Sequence, residues 1–224
     1  MTTHVTSRCG PAGLPLNKLP PRALKVGTTG WSADDLDDPQ IERLWEAGSY
    51  EIVEGVLTQM PPAYFDSSLP LTRLQKVLLT HGEANGIEGD FAFEVDFIVE
   101  RRRIAKPDMI FVTPDDMRRQ VAARAKKVTR GPKVRLGRWL VPPTLVVESI
   151  SLVHEDHDQD TKRHWYACAK VVNYWLINAY ERSLECLVLK GMKYRVDASG
   201  HGNDKTRPSL YPGMEISLSK LWDS

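Results

Sequence analysis

The sequence predicts a mixed α/β fold, of the α+β kind, in which a β-sheet is flanked by helices. Three observations carry that expectation. The runs YEIVEGVLTQM (50–60), FAFEVDFIVE (91–100) and TLVVESIS (144–151) either alternate apolar with polar residues or are apolar on both faces, as half-covered and fully covered strands do. The stretches 69–86 and 156–169 instead place matching side chains at the i, i+3, i+4 spacing of a helix face. Strands come first, then a helix, then more strands, an order suited to a sheet with helices against it.

At 224 residues the chain is long enough for one domain and a tail, burying roughly 70% of its unfolded surface without a metal or disulfide staple. It is 42% apolar and 26% charged, and 30 basic against 29 acidic residues leave a formal charge of +1. That balance excludes a disordered or collagen-like chain and a protein drawn onto nucleic acid by net charge alone, so any basic footprint has to be local. The three cysteines, Cys9, Cys168 and Cys186, form no CxxC pair, which argues against a disulfide framework or a thiolate zinc site and for a reducing, cytoplasmic setting. No apolar run approaches the length of a membrane span and residues 1–25 lack the apolar core of a secretory signal, so no membrane association is expected.

Residues 1–30 carry Arg8, Lys18, Arg22 and Lys25, no acid, and scattered Pro and Gly, and read as a flexible basic leader before a domain spanning 31–224. Over 34–54 the sign reverses, with eight acids against Arg43, and Ile41, Leu44 and Trp45 suggest a short amphipathic helix. The 50–60 run is a hairpin turning at Glu54-Gly55. After Pro61-Pro62 a helix presents Leu71, Leu74, Val77 and Leu78 and stops at Gly82 or Gly86. FAFEVDFIVE reads as one half-buried strand ended by 101–103, and IAKPDMIFV as a further strand entered through Pro107.

Residues 118–138 contain nine Lys or Arg and no acid, including Arg118, Arg119, Arg124, Lys126, Lys127 and Arg130. Two readings stay open: contact with the phosphates of a nucleic acid, or a solvated loop. No aromatic residue is interleaved before Trp139, so duplex backbone contact is favoured over stacking on single-stranded bases. TLVVESIS then reads as a strand in the middle of a covered sheet, 156–169 as a helix with Asp158, Lys162 and Tyr166 on one face, and VVNYWLINA with SLECLVLKG as a hairpin that MKYRV extends. An exposed edge of that hairpin offers a route to a homodimer.

Glu148 lies in the middle of an apolar strand, where an unpaired carboxylate costs several kcal/mol, so it has to be paired, metal-bound or protonated. A buried Glu bonded to a nearby Lys or Arg would also meet that demand. Asp108 opens the apolar run MIFV after Pro107, either as a turn residue or as a second functional acid. If the two strands are neighbours the carboxylates converge within about 4 Å and repel by roughly 4 kcal/mol at an effective dielectric near 20, a penalty that a divalent cation removes. Oxygen donors of this kind suit Mg²⁺ or Mn²⁺. Lys162, on the next helix, is either a cation that assists water and a phosphate transition state or the i+4 partner of Asp158. His154, His157 and His164 lie close together without the order or partners of a zinc site, and Trp165, Tyr166, Tyr174 and Trp175 read as packing.

YEIVEGVL (50–57), KPDMIFV (106–112), TLVVESIS (144–151), DHDQDTKRHWYACAKVVNYWLIN (156–178) and the terminal YPGMEISLSKLW together resemble the Uma-type restriction-endonuclease family, a branch of the PD-(D/E)XK phosphodiesterase superfamily. The resemblance implies a restriction-endonuclease-like mixed sheet flanked by helices, metal-binding acids at Asp108 and Glu148, and a functional lysine at Lys162. The usual superfamily lysine position, two residues after the Glu, is Ile150, so Lys162 has to reach back. Glu54 or Glu51 is the candidate for an additional acid near the metals, although turn chemistry explains Glu54 equally well. The stretch PPAYFDSSLPLTRLQ lacks the family's histidine, and Ser151-Leu152 replaces its Ser-Pro. The expected function is a metal-dependent endonuclease acting on DNA; the rival is a nuclease-fold module that binds nucleic acid or assembles without cutting.

Overall fold

The computed structural model describes residues 23–60, 65–127, 137–150 and 157–222; residues 1–22 of the expected leader lie outside them. The last residues of that leader are already attached to the domain, because Gly27 N–H donates to the Leu57 carbonyl (2.8 Å) and Leu57 N–H to that of Thr28 (3.0 Å). A 3-10 turn over Ala33–Asp37 leads into helix α1 (Pro39–Glu46), started by Pro39 and by the Asp38 carboxylate, which accepts Gln40 N–H. Ile41 and Trp45 are buried, whereas Leu44, expected on the same face, is exposed.

Strands β1 (Tyr50–Val53) and β2 (Val56–Gln59) form the expected hairpin, with Glu54 (φ 51°) and Gly55 (φ 80°) both in the left-handed region that a tight two-residue hairpin turn requires. Helix α2 (Phe65–Asn85) begins one turn before the expected stretch and carries Pro70 near its start.

Residues 90–112 depart from the sequence reading. FAFEVDFIVE is two strands, β3 (Asp90–Phe93) and β4 (Phe97–Glu100), and the expected strand over IAKPDMIFV is also two, β5 (Arg103–Ala105) and β6 (Met109–Val112). Phe93 faces Met109 and Phe97 faces Ala105, so the register carries over the bend and the four pieces form a single long hairpin, irregular between Ile98 and Glu100 near its tip. The bend lies at Glu94 (φ 49°) and at Pro107, which has no N–H to give the ladder. It sends β3 and β6 into one sheet and β4 and β5 into another. Alternation cannot reveal this, because in the sequence apolar residues stay at the odd positions from 91 to 99, although Phe91 packs with Met109 and Phe111 and Phe97 with Ile110 and Val112.

After β6 come helix α3 (Pro114–Lys127), strand β7 (Leu145–Ile150), helix α4 (His157–Cys168), strands β8 (Asn173–Asn178), β9 (Ser183–Lys190) and β10 (Lys193–His201), the short pair β11 (Lys205–Thr206) and β12 (Ile216–Ser217), and helix α5 (Ser219–Trp222). The larger sheet has the order β10-β9-β8-β7-β6-β3 and is antiparallel except for β7 and β8, whose parallel pairing uses α4 as the crossover. The smaller is the antiparallel β2-β1-β5-β4.

Three apolar layers follow from the alternation. Met109, Phe111, Leu145, Val147, Trp175 and Ile177 pack against α2 and α5. On the opposite face Ile110, Val112, Val146, Tyr174 and Leu176 pack against Trp165 and Tyr166 of α4 and against Phe97 and Ala105. Trp31, Leu36, Ile41, Trp45, Ile52, Leu57 and Ile104 cover the outer face of the smaller sheet. The hairpin edge expected to pair two subunits is not open, since β9 is flanked by β8 and β10. The edge strand is β10, where exposed Lys193 and Arg195 and a register shift between Val196 and Ala198 disfavour pairing with another strand. Among the described residues no helix is long and apolar enough to cross a membrane.

Candidate active site

The ladder between β6 and β7 pairs Met109 with Val147 and Ile110 with Val146, and one further step of the same register sets Asp108 opposite Glu148. Asp108 sits where the long hairpin bends out of the larger sheet, and its Oδ2 accepts the N–H of Ser149 at 2.6 Å. Glu148 shares its face with Val146, the face covered by α4. From α4, Lys162 reaches back to the strand: Nζ lies 3.6 Å from Glu148 Oε1 and 3.2 Å from Glu51 Oε1. It is 5% exposed, so its charge is compensated by carboxylates inside the protein. The pairing expected with Asp158 involves a side chain outside the described residues.

Glu51 is the second acid of this ion pair and comes from the smaller sheet. Its neighbour Ile52 faces the outer apolar layer, so alternation turns Glu51 inward, where it is 2% exposed and its Oε1 also accepts the N–H of Lys106 at 2.7 Å. Of the two acids weighed from the sequence, Glu51 is the one brought to Lys162. Glu54 stands at the hairpin turn with its side chain 55% exposed, bonded to Arg103 Nε (2.6 Å) and Trp165 Nε1 (3.3 Å). The Arg103 hydrogen bond holds its carboxyl below the usual glutamate range. Ile150, at the superfamily lysine position, packs against the apolar layer beneath α4.

Tyr166 is the residue that sequence reasoning assigned to packing alone. It does pack, between Phe97 and Tyr174, but its Oη donates to Glu148 Oε1 at 2.6 Å. The available signal was its spacing from Lys162, i to i+4 on one helix face, which aims both at the same strand.

Burial pushes the Glu148 carboxyl up to about 8; Asp108 and Glu51 push the same way, while Lys162 and the Tyr166 hydrogen bond oppose them. Burial likewise raises the Tyr166 hydroxyl well above the ordinary tyrosine range, so it stays a donor. Glu51 and Glu148 thus share one ammonium while Asp108 acts on Glu148 from the neighbouring strand, and the crowding of acids that raises the Glu148 carboxyl is one that a divalent cation would relieve. Among the described residues no three His, Cys, Asp or Glu side chains are arranged as a ready coordination sphere. Two oxygen ligands, with water and substrate oxygens filling the rest, are what Mg²⁺ commonly accepts, so Asp108 and Glu148 fit it chemically.

The basic stretch is a helix over its first half, and part of its charge is engaged within the fold. Arg118 pairs with Asp115 (3.1 Å) and Arg119 with Asp115 and Asp116, acids that precede the acid-free run by one helical turn. Arg138 joins Glu42 and Asp96. Lys126 is exposed and Arg124 half-buried, while Arg130 and the side chain of Lys127 lie outside the described residues. His164 is exposed with Cys168 Sγ at 3.6 Å; His154 and the side chain of His157 also lie outside the described residues.

Comparison with known proteins places the chain beside a protein family and a solved structure. The family model Uma2, described as "Putative restriction endonuclease", matches residues 39–219. The crystal structure of a putative nuclease belonging to DUF820 from Anabaena variabilis superposes with a TM-score of 0.57 at 15% identity, covering 77% of this chain and 89% of that one; at that identity the likeness is one of fold. No curated protein matches the sequence.

Proposed function

The chain belongs to the Uma2 family, whose description makes it a nuclease of restriction-endonuclease type, and from that premise we propose that it is a Mg²⁺- or Mn²⁺-dependent endonuclease cutting duplex DNA. The observation that carries the reading is that Asp108, just before β6, bonds Ser149 beside Glu148 in the middle of β7, and that Lys162 of the next helix reaches back to Glu148. Asp108 and Glu148 would hold the cation, which when bound supplies charge to a phosphodiester oxygen and acidifies water. Ser149 N–H fixes the Asp108 carboxylate, and Glu51 holds the Lys162 ammonium beside Glu148. The ammonium is then placed to orient the attacking water and to offset charge that develops on the phosphate.

Asp108→Asn removes one ligand charge with little change of shape. Incubation of supercoiled DNA with Mg²⁺ or Mn²⁺ should give nicking and linearisation by the wild-type protein, at least about a hundredfold less by the variant, and none with chelator. Salt-sensitive binding without turnover under either metal would leave the non-cutting module instead. The exposed part of α3 is the proposed backbone contact: Lys126→Glu should weaken DNA binding and lower the salt slope by about one to two, whereas Arg118→Ala should move it less, since Arg118 is already paired with Asp115. Fluorescence anisotropy across a salt series checks both.

A further inference from the structure

We propose that Tyr166 is a positioning residue that, together with Lys162, clamps one oxygen of Glu148 so that the other is presented to the divalent cation. The inference rests on the metal-dependent reading above. Both groups come from α4, one turn apart, and both address Oε1: the Tyr166 hydroxyl at 2.6 Å and the Lys162 ammonium at 3.6 Å. Among the described residues the hydrogen bond and the ion pair of this carboxylate both fall on that oxygen, and Oε2 takes no part in either. The donor is fixed in turn. The Tyr166 ring is fully buried, stacked at 6.2 Å and 13° on Phe97 and tilted against Tyr174 at 5.2 Å. A glutamate has three side-chain torsions, and a directional hydrogen bond from a rigid ring together with an ion pair from a buried ammonium, both on a single oxygen, remove the freedom that would otherwise be lost on binding the ion. Helix α4 thus orients the metal-binding strand as well as delivering the lysine.

The test is direct Mn²⁺ binding to the full chain by calorimetry, without DNA. Tyr166→Phe keeps the ring and removes only the hydroxyl; Mn²⁺ should bind roughly tenfold or more weakly, as for other groups that orient metal ligands. Leu71→Ala loosens the apolar layer on the opposite face of the sheet and leaves the Tyr166 ring and hydroxyl untouched; it should lower the melting temperature and leave Mn²⁺ affinity within about twofold of wild type. If Tyr166→Phe does not fold, Tyr166→Met, which fills similar space without a donor, is read in its place. Wild-type affinity in the hydroxyl-free variant would overturn the clamp while leaving the metal site standing. An equal loss in Leu71→Ala would assign the effect to general loosening of the fold and overturn it as well. Failure of the wild-type protein to bind Mn²⁺ would remove the metal-dependent reading, and the clamp with it.

Discussion

Glu148→Gln should abolish cleavage and at the same time make the folded protein harder to unfold at pH 7–8. In the folded chain burial holds the Glu148 carboxyl at about 8 against an ordinary value of 4.5, so the native state retains a proton that the unfolded chain releases. Stability from this group is fully present below about pH 4.5 and is lost as pH rises toward 8, at about 1.4 kcal/mol per pH unit. Glutamine reproduces the protonated carboxyl, accepts the Tyr166 hydroxyl as before and does not titrate. Denaturant titrations from pH 4.5 to 8.5 should therefore show near-equal stabilities at the acid end and an advantage for Glu148→Gln of a few kcal/mol at pH 8. Cleavage should fall by at least about a thousandfold, since a ligand charge at the reacting centre is gone. Saturating Mg²⁺ should raise the wild-type midpoint at pH 8 and leave that of the variant almost unchanged. Equal slopes of stability against pH in the two proteins would remove the account of Glu148.

Lys162→Met has the opposite consequence for folding. Nζ lies between Glu51, which is 2% exposed, and Glu148, which is 7% exposed, and removing it leaves two buried acids without that partner. Breaking a buried ion pair from one side typically costs about 3–5 kcal/mol, and the acids can recover part of it only by taking up protons. The expected result is a lower unfolding midpoint at pH 8, partial recovery at pH 5, and a loss of cleavage of about 10²–10⁴-fold. Lys162→Arg should restore much of the stability and little of the activity, because the planar fork of guanidinium does not fit a site shaped for a compact ammonium. Metal titration with a cleavage readout, beside circular-dichroism melts at both pH values, separates the two effects. Full activity in the methionine variant would take the lysine out of the mechanism.

The acids and the lysine were legible because each broke a local rule. Glu148 interrupts an apolar strand, Asp108 follows the proline that opens another, and Lys162 stands one turn from Tyr166 on a helix that follows at once. Glu51 was harder to choose, since alternation assigns it a face without saying what covers that face, whereas Glu54 drew attention through the turn that in fact holds it at the rim with Arg103. The basic run was read as acid-free because its partners lie outside it: Asp115 and Asp116 just before it, and Glu42 and Asp96 far off in sequence.

Local patterning was enough for the hairpin with its two-residue turn at Glu54-Gly55, the helices α2 and α4, the covered strand around Glu148 and the residue types suited to a hard cation. Those properties follow from local sterics and from the period of apolar side chains, which any stretch of about ten residues carries within itself. It took the folded arrangement to show that residues 90–112 bend between two sheets, that Glu51 rather than Glu54 meets Lys162, and that the Tyr166 hydroxyl ends on Glu148. Each of these depends on the register and packing of segments far apart in the chain, a long-range choice made by the burial of whole apolar faces and by the need of every buried charge for a partner.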